Sequence, residues 1–89
     1  MVRQELVLKN NVGLHARPAT FFIQRANEFK CSIWVEKDNR RVSAKSLLGV
    51  LSLGVATGDS ILVSAEGEDE DAAVAGLQEL VNSNFGEIA

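Results

Sequence analysis

Six consecutive residues, Gly13, Leu14, His15, Ala16, Arg17 and Pro18, hold the one histidine and the one proline of the sequence. Apolar side chains recur at helical spacing over 16–29, with Ala19, Phe22, Ile23, Ala26 and Phe29 on one stripe. Proline is at home in a first helical turn, where its missing N–H has no partner to lose. His15 therefore falls at or next to the N-cap, and Gly13 lets the entering chain bend sharply. A helix start offers unpaired N–H groups and partial positive charge, which together favour an anion. Imidazole at that place is disfavoured as a cation, so a ring nitrogen stays available as a nucleophile. A phosphoryl group accepted there would meet the first-turn N–H groups, those of Ala16 among them, and the permanent positive fork of Arg17. A lone histidine is usually a surface or capping residue and a first-turn arginine is usually solvated, so this stretch alone favours the plain reading.

A second stretch, 45–54, reads Lys-Ser-Leu-Leu-Gly-Val-Leu-Ser-Leu-Gly. Ser46 is placed to cap a short helix over 47–53, and Gly54 to end it. Leu47, Leu48 and Leu51 cannot all turn inward beside Val50 and Leu53 on so short a helix. An exposed leucine cluster rimmed by polar groups is a candidate docking surface. A phosphate on Ser46 would set a dianion at the helix start, tolerable to the fold and repulsive to an acidic partner.

These residues need a scaffold, and the 89 residues suffice for one domain spanning 1–89. With 46% apolar residues the chain can pack a core. The net charge of −3 and the absence of a basic stripe argue against a nucleic acid partner. One cysteine and one histidine cannot form an internal disulfide or a zinc or haem spacing, so no metal and no cofactor is expected, and Cys31 reads as a small buried hydrophobe. No apolar run reaches membrane-spanning length and the first residues lack the core of a signal peptide, from which a cytoplasmic, non-inserted protein is expected.

Alternation places a first strand on Val2, Gln4, Leu6 and Leu8, and a second on Cys31, Ile33 and Val35, with Trp34 on its other face. A turn over 37–40 joins it to a third strand over 41–44, and a fourth runs over 60–66 with Ile61, Val63 and Ala65 inward. Asp69 reads as the cap of a last helix carrying Val74, Leu77, Leu80 and Val81 inward. The order is βαββαβα: an α+β, open-faced two-layer β-sandwich with a four-stranded antiparallel sheet and three helices on one face. Trp34 and Leu62 fall on the uncovered face, where a cross-strand pair would shield itself.

The two stretches, in this order and separation, resemble the histidine-containing phosphocarrier HPr family of the bacterial sugar phosphotransferase system, and the likeness covers essentially the whole chain. The resemblance implies a carrier and not an enzyme with its own turnover. It would accept a phosphoryl group from phosphorylated Enzyme I, itself charged by phosphoenolpyruvate, and pass it to IIA domains of sugar permeases. It makes His15 the acceptor, through Nδ1, Arg17 the phosphate-coordinating residue, and Ser46 the target of an HPr kinase/phosphorylase whose product meets a transcriptional regulator. Leu47, Leu48 and Leu51 then form the apolar part of a docking face close to Thr20 and Ala16. The protein is expected to be monomeric. Val12 stands where relatives often carry a small polar residue, and Gln24 where some carry a basic one. Two alternatives stay open: the nitrogen-related carrier paralogue, and a regulatory binding protein acting through phospho-Ser46, although paralogues specialised that way lack the histidine.

Overall fold

The structure, a computed structural model, describes residues 1–10 and 12–87, and of residues 16, 86 and 87 the backbone only. Asn11, expected in the loop before the histidine, lies outside the described residues. The elements are β1 (Val2–Val7), α1 (Ala16–Ala26), β2 (Ser32–Lys37), β3 (Arg40–Ser43), α2 (Leu47–Ser52), β4 (Ser60–Glu66), α3 (Glu70–Asn82) and α4 (Asn84–Glu87). The four strands form one sheet in the order β1-β4-β2-β3, with every neighbouring pair antiparallel.

Register explains the core. Leu6 lies opposite Ile61, Val35 opposite Val63, and Ile33 opposite Ala65, so the apolar members of three strands share one face. Ala19, Phe22 and Ala26 of α1 and Ala73, Val74, Leu77 and Val81 of α3 cover that face in a single cluster. The other face is open, and the expected open-faced sandwich is the fold observed.

The differences from expectation lie at element ends. Helix α1 stops at Ala26, short of residue 29: past Asn27 the backbone tightens, the N–H of Glu28 donating to the Arg25 carbonyl at 3.1 Å and that of Phe29 to the Ala26 carbonyl at 3.3 Å, while the Asn27 side-chain Nδ2 donates to the Ile23 carbonyl at 2.8 Å. Phe29 still reaches the core, from the turn that follows. Strand β3 begins one residue early because Asp38 and Asn39, at φ of 50° and 66°, make a two-residue turn that pairs Lys37 with Arg40. A fourth helical turn, α4, follows the three helices expected and buries Phe85. On the open face Trp34 lies opposite Ser43 and Ser64, and Leu62 opposite Glu36, so the two apolar residues are diagonal neighbours. The Trp34 ring is covered instead by the Arg41 guanidinium, 4.2 Å from its centroid.

Asp69 occupies the N-cap of α3 without capping it. Its carboxylate reaches across the chain to accept the Lys30 N–H at 2.8 Å and the Cys31 N–H at 2.9 Å. Gly67, at φ 146°, makes the approach feasible, since a Cβ there would sit 2.6 Å from the Cβ of Cys31. The Lys30 N–H, with the Cys31 thiol and N–H, holds the Asp69 carboxyl below its ordinary range. A carboxyl whose folded pKa is depressed stabilises the fold at pH above its unfolded value, near ~3.9, and loses that contribution as pH falls through the folded value. Thermal melts of wild type and Asp69→Ala are expected to differ fully at neutral pH and to converge as pH drops below about 4. A gap that stays constant into strong acid would show that the carboxylate charge is not its source.

Candidate phosphoryl-acceptor site

The loop before the histidine is stitched to the segment that leads into β4. Leu8 donates its N–H to the Asp59 carbonyl at 2.9 Å and accepts from Gly58 at 2.6 Å, while the Thr57 hydroxyl donates to the Asn10 carbonyl at 2.6 Å. Gly13 follows at φ 67°, pressed so closely on this segment that a Cβ would lie 2.3 Å from the Val55 carbonyl oxygen. Leu14 donates to that same oxygen at 2.9 Å and buries its side chain completely.

His15 comes next, extended at φ −123° and ψ 157°, as the N-cap of α1 with an exposed side chain. Its imidazole makes no capping bond. The sequence supplies a reason: an N-cap side chain bonds the N–H of the second or third helical residue, and the third here is Pro18, which has none. The N–H groups of Ala16 and Arg17 have no partner inside the helix, and no acidic residue sits in the first turn. The helix end is thus electropositive and uncompensated, as an anion site requires. The side chain of Ala16 itself lies outside the described part.

Arg17 is exposed, and its guanidinium lies 5.8 Å from the centroid of the Phe21 ring, one turn along α1. It makes no ion pair among the described residues. Phe21 was not among the residues picked out from sequence, although an arginine and an aromatic four apart on a helix are neighbours by construction. Thr20 is half-buried on the same helix.

Helix α2 is presented beside α1, with Asn27 Nδ2 also touching the Lys45 carbonyl at 3.4 Å. Ser46 is its N-cap, and its Oγ accepts the Gly49 N–H at 3.1 Å. Val50 is wholly buried, Leu51 packs half-buried against the core, and Leu47 and Leu48 are exposed at 38% and 81%. Of the three leucines, two therefore face outward. At the other end Arg40 donates to the Ser52 carbonyl at 2.7 Å and Lys37 to the Gly54 carbonyl at 3.0 Å, so the turn of the β2–β3 hairpin supplies the cations that complement this helix terminus. Lys37 also pairs with Asp59 at 2.9 Å; the Ala56 N–H first, and Lys37 next, hold the Asp59 carboxyl below its ordinary range.

Other chemistry is sparse. Cys31 is buried, and burial together with the neighbouring Asp69 pushes its thiol up to about 11. No group of three His, Cys, Asp or Glu side chains among the described residues could hold a metal ion. A concavity lined by Lys30, Glu68 and Asp69 involves neither His15 nor Ser46. Among the described residues no helix is long and apolar enough to cross a membrane.

The histidine is exposed at a helix start on an open-faced sandwich, and the helix end beside it is free to meet an anion. The family described as PTS HPr component phosphorylation site matches residues 2–83, and the chain belongs to this HPr family of phosphocarriers of the phosphotransferase system. It is 40% identical to the phosphocarrier protein HPr of Neisseria meningitidis over 98% of both chains. It is 45% identical to the HPr-like protein Crh of Bacillus subtilis over 83% of this chain and 87% of that one. Among solved structures, HPr-C-His from Thermoanaerobacter tengcongensis superposes with a TM-score of 0.97 at 49% identity, over 100% of each chain.

Because the Ser46 hydroxyl satisfies the Gly49 N–H, Ser46→Ala is expected to lower stability by about 1 kcal/mol, and Ser46→Asp to restore most of it. Urea denaturation of the three proteins measures this; equal midpoints for wild type and Ser46→Ala would mean that the cap bond contributes nothing net.

Proposed function

We propose that this chain, as a cytoplasmic monomer, carries a phosphoryl group on His15 from phosphorylated Enzyme I to IIA domains of sugar permeases. The observation that carries the reading is the imidazole of His15, exposed at the N-cap of α1 and withheld from capping. A ring nitrogen lone pair attacks phosphorus, the new N–P bond forms as the donor's bond to phosphorus breaks, and the acceptor then becomes the donor in the next transfer. The phosphoryl oxygens meet the N–H groups of Ala16 and Arg17 and, once it leaves the Phe21 ring, the Arg17 guanidinium. Few donors and no enclosing walls hold the group loosely, as suits a group that must move on. Leu47 and Leu48, with Leu51 and Thr20 assigned to the same docking face, supply the apolar contact for both partners in this reading.

Ser46 is the regulatory site in this reading, modified by an HPr kinase/phosphorylase. Its phosphate sits beside Leu47 and Leu48, where its charge repels an acidic partner. A regulatory binding protein acting on a transcriptional regulator through phospho-Ser46 is a second reading, favoured by the likeness to Crh. His15 argues against that role as the exclusive one.

Intact mass after incubation with phosphoenolpyruvate and a bacterial Enzyme I tests the proposal. Wild type is expected to gain one acid-labile phosphoryl group and His15→Ala none. No gain with Enzyme I from several sources would overturn the carrier reading; a gain that survives in His15→Ala would move the site elsewhere.

A further inference from the structure

The peptide unit joining Gly13 to Leu14 is held at both of its polar atoms. Its N–H, on Leu14, donates to the Val55 carbonyl at 2.9 Å. Its carbonyl, on Gly13, accepts from Nδ2 of Asn10 at 2.8 Å. The residue that follows this unit is His15. Asn10 is itself anchored through its own carbonyl, which accepts the Thr57 hydroxyl at 2.6 Å, and it is only 2% exposed.

Only an N–H can serve the Gly13 carbonyl, so the amide of Asn10 has one orientation. That orientation leaves Oδ1 buried with no hydrogen-bond partner among the described residues. An unpartnered buried acceptor opposes folding, so an apolar side chain of the same size would relieve that cost while leaving the Gly13 carbonyl without its donor, two effects on stability of opposite sign. What the amide supplies, and leucine cannot, is the donor to Gly13.

We propose that Asn10 is a positioning residue for His15. With the Val55 carbonyl it locks the plane of the 13–14 peptide, and the buried Leu14 side chain and the start of α1 leave the histidine little backbone freedom on either side. The imidazole therefore leaves the chain in a fixed direction, and an in-line attack on phosphorus depends on direction. Asn10 is too buried to touch a partner or a phosphoryl group, so its effect falls on transfer and not on docking. The inference rests on the reading of His15 as phosphoryl acceptor.

Asn10→Leu, with Asn10→Ala as the smaller variant should leucine not fit, tests the clamp in two ways. Hydrogen exchange read by NMR is expected to show the Leu14 amide exchanging about tenfold faster than in wild type, with the leucine variant still folded and cooperative in its melt. Turnover of phosphoenolpyruvate-charged Enzyme I, followed over a range of carrier concentration, is expected to lose about tenfold in kcat with KM unchanged. Leu14 protection equal to wild type would overturn the proposal. So would a loosened Leu14 with wild-type kcat, or a loss of kcat that merely follows a loss of folded protein. Wild type that gains no phosphoryl group overturns the carrier reading and this proposal with it; wild type that gains one while both variants match it in kcat overturns the proposal alone.

Discussion

The hydrogen bond from the Leu14 N–H to the Val55 carbonyl is the constraint on which the functional surface turns. It joins the loop carrying His15 to the segment that leaves α2, and it requires the glycine beside it, because any Cβ on Gly13 would collide with the acceptor. Two stretches separated by 26 residues in sequence, 13–18 and 45–54, are thereby tied to one another. The sheet supplies the rest of the rigidity. Lys37 and Arg40 on the β2–β3 turn hold the far end of α2, and Lys37 extends the same network to Asp59 and so to the segment that backs the loop. A six-residue helix has little stability of its own. It persists here because its start is capped by Ser46, its end is met by cations, and Val50 is buried beneath it.

The site is built with little. In the proposed carrier, a helix start, an imidazole kept out of capping by a proline two residues beyond Ala16, and one guanidinium resting on an aromatic ring would receive an anion without enclosing it. A deep pocket with many donors would hold a phosphoryl group more tightly and release it more slowly. An exposed arginine with an alternative resting place can engage and disengage at small energetic expense, since such a contact at an exposed site is worth roughly 0.5–1 kcal/mol.

What was legible in the sequence was local. His15 before Pro18, Ser46 before a short apolar run, and the alternation of Ile33 with Trp34 or of Ile61 with Leu62 each report a structure formed within a few residues, and each stands as read. What escaped depends on distance along the chain. Asp69 looks like a cap, but its carboxylate is taken by two backbone N–H groups nearly forty residues earlier, an acceptor choice no local pattern announces. Asn10 reads as loop composition, and its value as a donor to Gly13 is visible only once the loop is folded against Thr57 and Val55. The early end of α1 is a local matter hidden by Phe29, which keeps the apolar stripe running past the true end: the Asn27 side chain takes up the Ile23 carbonyl, and the next two N–H groups drop to the carbonyls three residues back.

The burial of Cys31 has a practical side. Its thiol lies under the Gly67 turn, beside Asp69, and ionises only far above neutral pH, so it offers almost no thiolate to an electrophile under ordinary conditions. It is also the chain's one cysteine. A second cysteine placed on the outer surface of α2, at Leu48 for instance, would react with a maleimide dye essentially alone, with the native thiol left in place. The molecule comes ready for single-site fluorescent labelling, with the dye set on the proposed docking surface itself.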